Sequence, residues 1–323
     1  MTRIGNKTSI LPILYSMFPV EYERYIEPFG GSASVLLGKE KPDKFEVFND
    51  RDGDLVNFFR VAKNRTAELL LELGLLPINS RLDFEAWRAF QENRKYDLSH
   101  VHTQLEIMDL SMPPEWAEKL KLGFRSRVES HEVRWAADYL KLTRHSYASD
   151  HKSFAGKPFC VASVLELIKD LGKRFENVVI ENLDFARLIQ RYDRPGAFFY
   201  LDPPYVDTEH FYPGAFCWED HIRLWDCLNN IQGRFLMSYN DCPEVRGLYK
   251  DYMVIDFQRQ HTMAQKKNPE AKFQELLIAN YDVYERERQK PVQISISDML
   301  GISVDEEKNL KEQIIPCKNR NVH

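Results

Sequence analysis

The stretch Ala197-Phe198-Phe199-Tyr200-Leu201-Asp202-Pro203-Pro204-Tyr205 decides how the rest of this 323-residue chain is read. Five apolar and aromatic residues follow one another without alternation, the pattern of a strand covered on both faces, as central strands of parallel α/β sheets are. Pro203 and Pro204 then stop it. Neither has an N–H to continue a ladder, so the chain past Leu201 is held stiff with its carbonyls open to donors. Ligands of open α/β sheets sit at such carboxyl ends, which makes Asp202 to Tyr205 a candidate site.

Asp202 and the carbonyl of Pro203 together can accept the two protons of an exocyclic amine. That pull bends a planar, conjugated nitrogen toward a tetrahedral one and localises its lone pair, while Tyr205 offers a face for a purine ring. The competing reading of these four residues is a Pro-Pro turn whose Asp caps a helix and whose Tyr fills a gap. Other parts of the chain must decide between them.

Toward the amino terminus, Arg24-Tyr25-Ile26-Glu27-Pro28-Phe29-Gly30-Gly31-Ser32-Ala33-Ser34-Val35-Leu36-Leu37 reads as a short strand, a tight glycine turn and an apolar helix beginning near Ser32. Glycines there let backbone approach a ligand closely, and the helix start presents unpaired N–H groups. An ordinary β-turn-α connection explains two glycines equally well. A second strand, Phe45 to Asn49, then ends in Asp50, about twenty residues after the glycines, before a helix containing Leu55 to Phe59. A carboxylate at that strand tip suits the ribose of an adenosine cofactor of NAD or S-adenosylmethionine type. Neither Gly-x-Gly-x-x-Gly nor Gly-Lys-Ser/Thr is present, and the spread of the glycines favours S-adenosylmethionine. Asp52 and Asp54 are expected on the first helical turn as partners of its dipole.

Toward the carboxyl terminus, Asn177 to Glu181 reads as a strand leading to Asp184 and Phe185 and a helix over Ala186 to Tyr192. A loop from Val206 to Cys217 precedes a helix with Ile222, Trp225, Leu228 and Ile231 on one stripe. Phe235 to Asn240, Tyr252 to Phe257 and Glu275 to Tyr281 complete at least six strands. Residues 285–323 mix charges and turns and are expected to be a disordered or weakly docked tail. No internal repeat is visible.

Hydrophobic residues make up 43% of the chain and aromatics 12%, enough for a sizeable core, and the length allows roughly two domains. The first residues do not form a signal-peptide pattern, and no run of about twenty apolar residues occurs. Five scattered cysteines, never spaced two apart, argue against a disulfide framework and a zinc ribbon, so a cytoplasmic location without bound metal is expected. The net charge of −5 excludes a uniformly basic surface. Between about Thr66 and Ala155 the pattern turns helical, with Trp135, Tyr139 and Leu142 on one helix face. From Lys119 to Lys157 nine Lys/Arg face four acids, a local +5. A solvated helix face explains such a run. The same stretch also carries His145, Ser146, Tyr147 and Ser149, types that suit phosphates and base edges. Arg144, Tyr147 and Lys152 are the candidate nucleic-acid contacts. His131, His145 and His151 have no metal-ligand spacing.

Phe29-Gly30-Gly31, Asn49-Asp50, Asp184-Phe185, Asp202-Pro203-Pro204-Tyr205, Asp220-His221 and Glu275 to Ile278 with Asn280-Tyr281 occur in an order that resembles the adenine-specific DNA methyltransferases of the DNA adenine methylase family. The resemblance implies an α/β fold: a Rossmann-like methyltransferase sheet with an inserted, mainly helical target-recognition domain. Residues 1–76 and 156–284 would form the discontinuous catalytic domain, 77–155 the insert, and 285–323 the tail. It further implies S-adenosyl-L-methionine as cofactor, met by Lys7, Phe29, Gly30, Gly31, Asp50, Asp184, Phe185 and Asp202. Asp202, Pro203, Pro204 and Tyr205 would form the catalytic motif, acting on the N6 amine of an adenine rotated out of double-stranded DNA. Transfer would be direct and in line, without a metal, and a monomer would suffice. Arg3 and Ser32-Ala33 depart from residues found in other members.

Rival readings are an amino methyltransferase acting on RNA, cytosine or protein glutamine, a catalytically silent DNA-binding protein, and a nucleotide-dependent oxidoreductase. An Asn-Pro-Pro-Tyr motif would favour glutamine, whereas Asp202 and the large insert favour DNA. Pro316-Cys317 has the pairing needed for cytosine carbon-5 chemistry but lies in the tail. The DNA sequence recognised and any restriction endonuclease partner are not legible.

Overall fold

The computed structural model describes residues 7–73, 81, 84–85, 88, 109, 113–146, 151, 153–155, 161–209, 216–260 and 272–289. The uninterrupted apolar runs form the middle of a seven-stranded sheet. Its strands are β1 (Arg24–Glu27), β2 (Glu46–Asn49), β3 (Val178–Glu181), β4 (Ala197–Leu201), β5 (Arg234–Asn240), β6 (Met253–Gln260) and β7 (Lys272–Ala279), in the order β3-β2-β1-β4-β5-β7-β6. β3, β2, β1, β4 and β5 pair in parallel, whereas β7 runs antiparallel between β5 and β6. Strand order reverses between β1 and β4, where Ile26 lies opposite Phe199, and a ligand crevice opens at such a switch point.

All five β4 residues are buried, and their alternation serves two cores. Phe198 and Tyr200 pack with helices α1 (Leu11–Ser16), α2 (Ser34–Gly38), α3 (Gly53–Asn64), α4 (Thr66–Leu73) and α6 (Val161–Phe175). Ala197, Phe199 and Leu201 pack on the other face with α7 (Phe185–Tyr192), α8 (Trp218–Asn229) and α9 (Pro243–Leu248). This is the α/β, Rossmann-like architecture expected.

Between α4 and α6 lies α5 (Pro114–His145), a 32-residue helix. Val133, Ala136, Ala137, Tyr139 and Leu140 near its end join the core of α3 and α4, and Asn57 Nδ2 donates to the Glu132 carbonyl at 3.0 Å. This part of the 77–155 segment therefore shares the hydrophobic core of the sheet.

Local details correct or narrow the expectation in three places. Asp52 is the N-cap of α3, accepting the N–H groups of Asp54 and Leu55, because a short acid just before the helix reaches the orphan donors directly. α8 buries His221, Leu224 and Leu228 and leaves Ile222 exposed, so the helix is turned from the expected stripe. Residues 285–289 are docked: in α10 (Glu285–Arg288) Arg286 donates to the carbonyls of Phe18 and Pro19, both at 2.7 Å. Among the described residues no helix is long and apolar enough to cross a membrane, and no group of three or more His, Cys, Asp or Glu could hold a metal ion.

Candidate active site at the carboxyl ends of the sheet

The glycine turn after β1 is shaped by contact. A Cβ on Gly30 would lie 2.1 Å from Cε2 of Phe48, a fully buried ring packed 4.7 Å from the ring of Phe59, so only glycine fits. Gly31 has φ +50° and donates its N–H to Asp50 Oδ2 at 2.8 Å; Asp50 Oδ1 accepts the N–H of Asp52, also at 2.8 Å. Asp50 thus joins the glycine turn to the start of α3 while its side chain stays only half-buried. Beneath it, buried Asn49 ties three strand ends together. Its Nδ2 donates to the carbonyls of Pro28 (2.8 Å) and Leu183 (3.2 Å), and its Oδ1 accepts the Leu183 N–H at 2.8 Å.

Phe29, Phe185 and Phe216 gather beside this turn, with centroids 5.4 Å apart for Phe29–Phe185 and 5.8 Å for Phe185–Phe216. Asp184 caps α7 through the Ala186 N–H (3.0 Å) and pairs with Arg223, whose guanidinium lies 4.4 Å from the centroid of Phe185. Phe216 comes from the loop between β4 and α8, so elements far apart in sequence build one aromatic wall.

At the end of β4, Lys7 Nζ lies 3.1 Å from Asp202 Oδ1 and 3.4 Å from Glu275 Oε2, and donates to the Tyr205 hydroxyl. Lys7 is 2% exposed and Glu275 5%. Ser238 Oγ, itself 3.1 Å from the Tyr200 hydroxyl, donates to Asp202 Oδ1 at 2.9 Å. Burial raises the Asp202 pKa; Lys7 opposes that rise, Glu275 adds to it, and the Ser238 hydrogen bond opposes it. The chain after the motif is braced to β5: Asn240 Oδ1 accepts the Val206 N–H at 3.1 Å, and the Tyr205 ring stacks on Tyr239. His221 uses both ring nitrogens here, one with the Tyr239 hydroxyl and Nε2 with Glu209 Oε1 at 3.0 Å.

All the residues expected near a cofactor or in the catalytic motif therefore line one edge of the sheet: Lys7, Phe29, Gly30, Gly31, Asp50, Asp184, Phe185, and Asp202 to Tyr205. Sequence reasoning quoted Asn49, His221 and Glu275 as motif residues without giving them a role, and gave none to Ser238, Glu209 or Tyr239. Their one signal was a polar residue inside or at the end of an apolar strand or helix stripe.

The candidate nucleic-acid contacts fare differently. Arg144 is half-buried in the last turn of α5, and Tyr147 and Lys152 lie outside the described residues. Ser146 and His145 are buried, so neither is placed to read a base edge. Lys121 pairs with Asp109 and Glu118, and half-buried Lys141 has its pKa lowered by burial. Arg134 remains 58% exposed, 3.9 Å from Glu72.

Comparison with known proteins gives the family. Residues 4–263 match the family model of the D12 class N6 adenine-specific DNA methyltransferases. The chain is similar to the type II methyltransferase M.CviBI of Paramecium bursaria Chlorella virus NC1A, 20% identical over 86% of this chain and 97% of that protein. It is also similar to the modification methylase StsI of Streptococcus sanguinis, 21% identical over 86% of this chain but only 42% of that longer protein. With the match running from before the glycine turn to past β6 and taking in the Asp-Pro-Pro-Tyr end of β4, the chain belongs to the D12 class N6 adenine-specific DNA methyltransferases.

Proposed function

We propose that the methyl donor is S-adenosylmethionine, held across the switch point, and that the acceptor is an adenine rotated out of double-stranded DNA at a specific sequence. The observation that carries the site assignment is the division of labour on Asp202. Both of its contacts among the described residues fall on Oδ1, and Oδ2, on a side chain 23% exposed, is left to receive an amine proton. The Pro203 carbonyl takes the second proton, and Tyr205 supports the base by stacking.

The residues present fit the donor. The turn that only Gly30 fits lets backbone approach a ligand closely, Asp50 presents a carboxylate to ribose hydroxyls, and the wall of Phe29 and Phe185 suits a purine, with Asp184 beside it. When bound, S-adenosylmethionine supplies an electrophilic methyl carbon, which the N6 lone pair takes while the sulfur keeps the bonding pair of the broken bond. Asp202 and Pro203 sharpen that lone pair and orient it, so that positioning supplies most of the catalysis. The excess amine proton leaves through the Asp202 carboxylate to water.

Residues 77–155 serve in this reading as the target-recognition part, with Arg144 at the end of α5 turned to phosphate. The test is single-turnover methylation with a labelled donor on duplex DNA, RNA and protein. The Asp202→Ala variant should lose about a hundredfold or more in rate, as removal of a preorganised polar contact does. A folded variant with near-normal turnover, or wild-type transfer to RNA or protein in place of DNA, would overturn the assignment.

A further inference from the structure

The N–C bond that forms at the acceptor places positive charge on the amine nitrogen, and the group beside it has to stay negative and basic until a proton has left. Asp202 alone, facing buried Lys7, would not meet that need. A one-to-one buried ion pair neutralises the carboxylate and lowers its basicity. Here the ammonium is divided, with Lys7 Nζ 3.1 Å from Asp202 Oδ1 and 3.4 Å from Glu275 Oε2 while it also donates to the Tyr205 hydroxyl. Glu275 reaches this place because β7 runs antiparallel to β5. Glu275 lies opposite Asn240, so a residue near the beginning of β7 arrives at the edge where β1 and β4 end.

We propose that Glu275 is a positioning residue for methyl transfer, which holds Lys7 between two carboxylates so that Asp202 keeps Oδ2 for the target amine. The inference rests on Asp202 being the amine acceptor. Among the described residues, the Lys7 ammonium stands between the two carboxylates of Asp202 and Glu275. Among the described residues, Tyr200 of its own strand and Ser238 of neighbouring β5 also face Asp202, and neither is a cation. Burial and Glu275 both raise the Asp202 pKa, while Lys7 and Ser238 lower it, so the two buried charges pull the same carboxyl in opposite directions.

The experiment is the pH profile of kcat/KM for methylation of duplex DNA, together with the carboxyl titration of Asp202 followed by carbon-13 NMR in the folded protein. Glu275→Gln should move both the acid limb and the NMR midpoint to lower pH by about one unit, since a like charge is lost and Lys7 turns from residue 275 toward Asp202. The plateau should fall about tenfold or more, as it does when a reacting group is misplaced. Lys7→Met should move the limb to higher pH. If Glu275→Gln does not fold, the double variant Lys7→Met/Glu275→Gln leaves no buried unpaired cation, and its limb should lie below that of Lys7→Met alone. An acid limb and NMR midpoint unmoved by removing Glu275 in either background overturn the inference. If Asp202→Ala turns over normally, the acceptor assignment itself has failed. If Asp202→Ala is crippled while Glu275→Gln leaves the limb in place, the role of Glu275 alone has failed.

Discussion

Glu27 is the last residue of β1, directly before the Pro28-Phe29-Gly30-Gly31 turn, and is 2% exposed. Its Oε1 accepts the Tyr25 hydroxyl at 2.6 Å, and its carboxyl also accepts the backbone N–H of Leu36 in the first turn of α2. Burial pushes its pKa from 4.5 up to about 8; the Tyr25 hydrogen bond and Lys39 act against that rise, and Glu46 adds to it. Between those two values the folded protein holds a proton that the unfolded chain has released. The stabilisation is therefore fully present below pH 4.5 and is lost as pH rises through about 8. At about 1.36 kcal/mol per pH unit, that interval corresponds to on the order of 3–5 kcal/mol. Glu27→Gln keeps the shape and removes the titration. Urea unfolding of both proteins from pH 5 to 8.5 should show the wild type losing roughly that amount relative to the variant. Curves that run parallel to within about 0.5 kcal/mol would refute the reasoning, because a carboxyl already ionised near pH 5 has no proton left to lose.

Gly30→Ala should lower thermal stability and weaken donor binding together, since its Cβ would lie 2.1 Å from a buried Phe48 ring atom; a variant of wild-type melting temperature and affinity would show that the turn yields freely. Asp50→Asn should reduce S-adenosylmethionine affinity in calorimetry about tenfold to a hundredfold, the equivalent of roughly 1.5–3 kcal/mol for a charged acceptor, with DNA binding changed much less. Unchanged affinity would leave Asp50 as a brace for Gly31 and Asp52 alone. Arg144→Ala should weaken binding to cognate and scrambled duplexes alike and flatten the salt dependence by about 0.9 in slope; a slope equal to wild type would move DNA contact away from this end of α5.

Much of this site was legible because local patterns carried it. A short, aromatic-rich apolar run closed by two prolines reads as a strand covered on both faces, and β4 is that strand. Two prolines end a ladder wherever they stand, which placed Asp202 at an open strand end. Gly30 and Gly31 declared a turn, although the reason Gly30 cannot be anything else is a ring from β2 that no local pattern reveals. The stripe of α8 misled for a related cause. Residue type assigned Ile222 to the core, yet the helix turns His221 inward, where Tyr239 and Glu209 satisfy both ring nitrogens. In α5 the count of basic residues could not tell that Lys121 is engaged with Asp109, nor that Ser146 is buried.

The sequence by itself determined the α/β class, the two strand-end motifs and the chemistry they suit, because each depends on residues within a few positions of one another. The tertiary structure alone decided the charge of the site. Lys7, Asp202 and Glu275 stand 195 and 73 positions apart, and they meet because the Lys7 N–H is held by Ser34 Oγ at the start of α2 while β7 returns antiparallel to β5. Period-2 burial says which face a residue takes, but not the direction in which its strand runs. Only pairing with β5 sets that direction for β7, and so brings a second carboxylate to the ammonium beside Asp202.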